Sequence, residues 1–273
     1  MYLEFLGLRE KPFSITSDPA FLYLSRRHRE ALSHMIYGIR ERKGFVEITG
    51  EIGTGKTTLC KALLRQLPTD TKTALVLHSN LSELQLLQNI VQDFGLNPMR
   101  SNRLHLFNQL NHFLLDQATA GHNIVLIIDE AQNLSPRLLE QIRMLSNLET
   151  DKEKLIQIVL VGQPQLRDKL QSPALEQLRQ RIGVRYHVLP LDDDEVKTYI
   201  EHRLQVAGSD GSLVWAQDAL QEVFQCSKGV PRLINLICDR VLLACYVYRA
   251  KIVNGAVVRR SYQELMGEVN PAT

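Results

Sequence analysis

Gly50-Glu51-Ile52-Gly53-Thr54-Gly55-Lys56-Thr57-Thr58 is the stretch from which the rest of this 273-residue chain can be read. It fits G-x-x-x-x-G-K-[ST], with Gly50, Gly55, Lys56 and Thr57 at the fixed places. Before it, Phe45-Val46-Glu47-Ile48-Thr49 reads as a short strand; after it, Leu59-Cys60-Lys61-Ala62-Leu63-Leu64 continues as a helix. Strand, glycine-rich loop and helix in that order separate a phosphate-binding loop from an ordinary turn. Glycines let successive N–H groups point inward, and the helix N-terminus adds the positive end of its dipole. Residues 50–58 are therefore expected to cradle a nucleoside triphosphate. Lys56 would reach the β- and γ-phosphates, and the Thr57 hydroxyl would ligate Mg²⁺. Lys56 is expected to be solvated, so that its truncation opens no core cavity.

The second piece is Asn123-Ile124-Val125-Leu126-Ile127-Ile128-Asp129-Glu130, an unbroken apolar run that ends in two carboxylates. Such runs mark strands buried on both faces of a parallel sheet. Ligands of open α/β sheets bind at the carboxyl ends of those strands. Asp129 is therefore assigned to Mg²⁺, and Glu130 to the base that orients water on the γ-phosphate.

Further strands are expected at residues 73–78, ending in His78, at 155–161 and at 184–189, with helices between them. Ser135-Pro136 opens one of these helices, Ser as its cap and Pro at its first position. Its apolar stripe runs from Leu138 to Leu148. Strands alternating with helices imply a doubly wound, parallel five-stranded α/β layer with right-handed crossovers. At Pro190-Leu191-Asp192-Asp193-Asp194-Glu195 the character changes. Helices are then expected at about residues 194–207, 215–227, 231–249 and 255–267, with no strand. The expected domains are thus residues 1–190, with an irregular leader 1–24 pinned by Phe5, Phe13 and Phe21, and an all-α lid at 191–273.

A net charge of +2 is too small to argue for nucleic acid or membrane by itself. Cys60, Cys226, Cys238 and Cys245 form no C-x-x-C pair, which argues against zinc and for a reducing compartment. Cys238 and Cys245 share one face of an expected helix and read as core. Residues 1–5 show no signal-peptide pattern. The longest apolar run, Val241 to Tyr248, is far short of the roughly 20 residues that span a bilayer. A cytoplasmic chain without a transmembrane span is the expectation.

Taken together, Gly50 to Thr57, Ile124 to Glu130, Gln163 after a fourth strand, and Gly229-Val230-Pro231-Arg232 in a helical tail resemble the AAA+ ATPases. The opening Tyr2-Leu3-Glu4-Phe5-Leu6-Gly7-Leu8-Arg9-Glu10-Lys11-Pro12-Phe13 is similar to that of ATPases of the general secretion pathway protein A type. So are Phe21-Leu22-Tyr23-Leu24-Ser25, His28-Arg29-Glu30-Ala31-Leu32 and Asp129-Glu130-Ala131-Gln132-Asn133-Leu134. That group is similar to pilus-biogenesis ATPases and, more distantly, to transposition ATPases.

The resemblance implies further roles. Gln163 would be a first sensor of the γ-phosphate or the attacking water, although Asn or Thr is commoner there. Arg232 would be a second sensor reaching from the lid, aimed from the first helical turn by Pro231. Arg181, with Arg179 as the alternative, would project into a neighbouring subunit's site as a finger in trans. Tyr23 and Leu24 lie in the segment that frames the adenine. ATP rather than GTP follows from the family and from the absence of an N-K-x-D motif. The implied function is Mg²⁺-dependent ATP hydrolysis by a homo-oligomer, ring or filament, that serves an envelope secretion or pilus-assembly machine. A DNA-binding regulator of transposition is the alternative; it gains from basic clusters such as Arg26-Arg27-His28-Arg29 and loses from the small net charge.

Overall fold

The computed structural model describes residues 2–16, 18–77, 81–98, 102–147 and 154–268. His78 and Leu148, expected at the ends of a strand and an apolar stripe, lie outside the described residues. In chain order the helices are α1 (Tyr2–Phe5), α2 (Arg26–Arg40), α3 (Lys56–Gln66), α4 (Glu83–Asp93), α5 (Arg103–Thr119), α6 (Pro136–Leu145), α7 (Pro164–Leu170) and α8 (Glu176–Arg181). They continue as α9 (Asp193–Val206), α10 (Gln217–Ser227), α11 (Pro231–Val247) and α12 (Gly255–Met266). The strands are β1 (Phe45–Gly50), β2 (Lys72–Val76), β3 (Ile124–Ile128), β4 (Gln157–Gly162), β5 (Ile182–Val188), β6 (Val214–Trp215) and β7 (Ile252–Val253).

The chain packs as two units: residues 28–52 with 59–188, and residues 1–27 with 53–58 and 189–273. The first unit holds the parallel sheet, ordered β2-β3-β4-β1-β5. All five residues of β3 and all six of β1 and β4 are buried, as strands covered on both faces must be. Pairing of Thr49 with Gly162 and of Ile128 with Leu160 brings the carboxyl ends of β1, β3 and β4 side by side. Gly38 of α2 lets that helix lie on β1, since a Cβ there would meet the Val46 side chain at 2.4 Å. As expected, the Ser135 side chain accepts the Leu138 N–H at the start of α6, and Pro136 takes the first helical position. The short helices α7 and α8, between β4 and β5, were not read from the sequence.

The second unit has its own core, from Leu6, Phe13 and Phe21 to Val196, Ile234, Ile237, Cys238, Val241 and Val258. Cys238 and Cys245 are buried and unpaired, and burial pushes both thiols up, away from the reactive thiolate. The leader joins this core through Arg203 of α9, which is 6% exposed. Its guanidinium donates to the carbonyls of Pro12 and of Ser14 (3.1 Å) and to the Tyr199 hydroxyl (3.0 Å), which donates on to Asn235 Oδ1 at 2.8 Å. The guanidinium also lies 4.9 Å from the Phe21 ring centre. The expectation of no strand in this part is corrected by β6 and β7, a parallel pair joining Val214 to Ile252 and Trp215 to Val253. Two residues per strand are too few to show a period of two.

Arg203→Ala would strand two backbone carbonyls that cannot reach water as they stand. A loss of about 3 kcal/mol of stability is expected, read as a lower urea midpoint. Arg203→Lys should recover only part of it, since an ammonium cannot match the planar fork.

Candidate nucleotide and hydrolysis site

Two groups of residues, one in each packing unit, carry the chemistry read from the sequence. In the second unit, Gly53 and Gly55 have φ of 80° and 91°, backbone that side-chain-bearing residues rarely adopt. Lys56 and Thr57 then begin α3, so the loop ends on a helix N-terminus with its dipole and unpaired N–H groups. Lys56 is 6% exposed and Thr54 wholly buried. The expected solvated lysine is therefore corrected: the ammonium is held within the fold, where it is poised for an anion.

Arg232 belongs to this same group. Its backbone N–H donates to the Gly53 carbonyl at 3.3 Å, at the first turn of α11 behind Pro231. A Cβ on Gly53 would stand 2.7 Å from the Arg232 Cβ and 3.2 Å from Val230 Cγ1. Gly53 thus serves both the loop's backbone path and the close approach of α11. Gly229 has a similar duty: with φ 74°, its Cβ would fall 1.9 Å from the Leu191 carbonyl oxygen. Tyr23 packs its ring edge-on to Tyr199 (5.7 Å between centres) and beside His202 (5.6 Å) of α9, while Leu24, next in the chain, is half-buried. Burial and neighbouring Arg203 hold the His202 imidazole below its usual range, favouring a neutral ring.

In the first unit, Asp129 follows β3 and is 2% exposed; its N–H donates to the Val76 carbonyl and its Oδ1 accepts the Glu130 N–H, both at 2.9 Å. Glu130 sits in the left-handed region, φ 52° and ψ 36°, at a cost on the order of 1–2 kcal/mol for a residue with a side chain. That turn swings its carboxylate toward β4. Glu130 Oε2 accepts the side-chain amide of Gln163 at 3.1 Å and that of Gln132 at 2.5 Å. Gln163 is the N-cap position of α7, yet its side chain makes no cap bond. The amide is given to Glu130 instead.

Gln132 was quoted in the sequence as part of a resemblance, without a role. Its partner Gln163 lies 31 residues away, and only the β3–β4 pairing brings the two together. Arg181 Nη1 donates to Ser146 Oγ of the same unit at 2.9 Å, so its guanidinium is engaged within its own chain. Arg179 bonds Gln171 Oε1 at 3.0 Å and lines a cavity of about 620 Å³ with Arg167, Arg185 and Glu47. Burial pushes the Glu47 carboxyl up, opposed by Arg185 at 3.1 Å.

The donors present fit a magnesium nucleotide. Thr57 and Asp129 offer the hard oxygens Mg²⁺ takes, and the glycine loop with its helix start is the cradle a polyphosphate needs. Among the described residues no three His, Cys, Asp or Glu side chains gather as a metal cluster. No described helix is long and apolar enough to cross a membrane.

Comparison with known proteins agrees with this geometry. The family model of the AAA domain matches residues 39–170. General secretion pathway protein A of Aeromonas hydrophila is 48% identical over 265 residues, covering 96% of this chain. The match takes in 48% of that protein, so the chain spans about half the length of its relative. Among solved structures, Cdc6p of Pyrobaculum aerophilum superposes with TM-score 0.69 at 19% identity, over 93% of this chain and 70% of that one. The ADPNP–ADP complexes of Aeropyrum pernix ORC2 give TM-score 0.67 at 20% identity, over 93% and 71%. At such identities the structural likeness speaks for the fold. The chain is an AAA+ ATPase. Over nearly its whole length it is similar to general secretion pathway protein A.

Gly53→Ala should lower affinity for a fluorescent ATP analogue by about tenfold or more, because loop and α11 cannot both keep their places. Lys56→Ala should abolish that binding. Because the lysine is buried, a circular-dichroism melt must show the variant folded before the loss is attributed to the missing ammonium.

Proposed function

We propose that the chain binds MgATP in the loop of residues 50–58 and hydrolyses it with Glu130 as the base, in a homo-oligomer that drives or regulates an envelope secretion machine. The observation that carries the reading is the grip on Glu130. A carboxylate at the end of a buried strand is held by an amide from the neighbouring strand's end, beside Asp129. A binding scaffold has no use for an oriented base. Bound Mg²⁺, held by Thr57 and Asp129, would neutralise charge developing on the β- and γ-phosphates. Lys56 and the loop N–H groups would bind the phosphates, and Glu130 would take the proton of the attacking water. Gln163 would sense the γ-phosphate or that water, and Arg232 would serve its own chain's nucleotide. Tyr23 and Leu24 would frame the adenine.

The secretion role rests on the 48% identity to general secretion pathway protein A. A net charge of +2 favours it over the DNA-binding alternative. A cytoplasmic location, at or near an inner-membrane complex, goes with that role. Arg181 would act on the neighbouring subunit's γ-phosphate, leaving Ser146 to do so, and Arg179 is the second candidate.

Glu130→Gln should keep ATP binding and lose about 100-fold or more of the turnover rate. Turnover near wild type would move the base elsewhere. Specific activity should rise with protein concentration if each site is completed by a neighbour. Mixing inactive Glu130→Gln with inactive Arg181→Ala should then restore part of the activity. The same mixture made with Arg232→Ala should stay dead, since each subunit lacks something only it can supply. Rescue with Arg179→Ala in place of Arg181→Ala would shift the finger two residues upstream.

A further inference from the structure

We infer that Gln132 is a positioning residue of the hydrolysis site: its side-chain amide ties the Glu130 carboxylate to the end of β4 and so aims it. The inference rests on Glu130 being the base. Both ends of the amide are used. Nε2 donates to Glu130 Oε2, and Oε1 accepts the Gln163 backbone N–H at 3.0 Å. This orientation is forced, because the carboxylate can only accept and the peptide N–H can only donate. With Gln163 Nε2 on the same carboxylate oxygen, a closed cycle of hydrogen bonds forms. One donor would leave Glu130 free to swing about a single bond. Two donors from different backbone segments fix its direction.

The surroundings are shaped for this amide. Gly162, the last residue of β4, does not have a positive φ, so backbone freedom does not explain a glycine there. Space does: a Cβ at that position would stand 2.8 Å from Gln132 Oε1 and 3.0 Å from Leu166 Cδ2. Lys169 of α7 reaches back to donate through Nζ to the carbonyls of Gln132 and of Leu134, the latter at 2.6 Å. The short turn Ala131–Asn133 is thereby pinned to the helix that Gln163 begins. Glu130 pays for its left-handed backbone only if its side chain arrives somewhere definite, and Gln132 supplies that place.

Gln132→Glu tests this with little change of shape. The variant keeps an acceptor for the Gln163 N–H but turns an acceptor toward Glu130 in place of a donor. It should lower kcat by about tenfold or more. KM, the directly titrated affinity for a non-hydrolysable ATP analogue, and the melting temperature should stay near wild type. Gly162→Ala, which pushes the amide aside, should lower kcat to a similar degree. The double variant should be little worse than either single one, since both break the same cycle. In amide NMR spectra the Gln163 side-chain signals should move in Gln132→Glu. Wild-type kcat for Gln132→Glu, while Glu130→Gln is inactive, would overturn the inference alone. Loss of analogue affinity and melting temperature in step with kcat would likewise overturn it, making Gln132 a structural tie. An active Glu130→Gln would remove the base on which the inference rests.

Discussion

Parallel pairing of β1, β3 and β4 is the constraint on which the hydrolysis chemistry depends. Because the strands run the same way, everything that follows them emerges at one edge: the phosphate loop after Gly50, Asp129-Glu130 after Ile128, and Gln163 after Gly162. Register then sets which residues are neighbours. Thr49 opposite Gly162 and Ile128 opposite Leu160 leave Glu130 and Gln163 within one hydrogen bond of each other. A slip of one residue would turn every side chain to the opposite face and part them. The buried apolar strands therefore do more than stabilise the sheet, since their packing fixes the register.

The other packing unit works by close approach. Gly53 and Gly229 each sit where backbone meets a neighbour too nearly for any Cβ, and both have positive φ. Through Gly53 the loop meets the first turn of α11, so that Arg232 and the phosphate-loop backbone are set by one contact. Arg203 does comparable work for the leader by capping carbonyls that lack strand or helix partners.

The elements legible in the sequence are those specified by neighbours in the chain. The glycine loop, the apolar run into Asp129-Glu130, and the Ser135-Pro136 helix start each declare themselves within about ten residues. What escaped depends on distant partners. Gln132 looks like any polar residue in a turn until β4 delivers the Gln163 N–H to it. Arg203 reads as one more helix cation, although it is buried beneath residues 12 to 21. Lys56 was read as solvated because a lysine beside glycines usually is, whereas the fold encloses it. The β6–β7 pair joins two dipeptides nearly forty residues apart, with no local signal in either.

The central claim is that this chain turns ATP over and does not merely hold it. The most direct measurement is phosphate release from ATP by the purified chain, followed alongside nucleotide binding as Mg²⁺ is chelated and restored. The account predicts continuous release in Mg²⁺, arrest on chelation and resumption when the ion returns. ATP that stays bound and intact for hours in Mg²⁺, at every protein concentration tried, would contradict it.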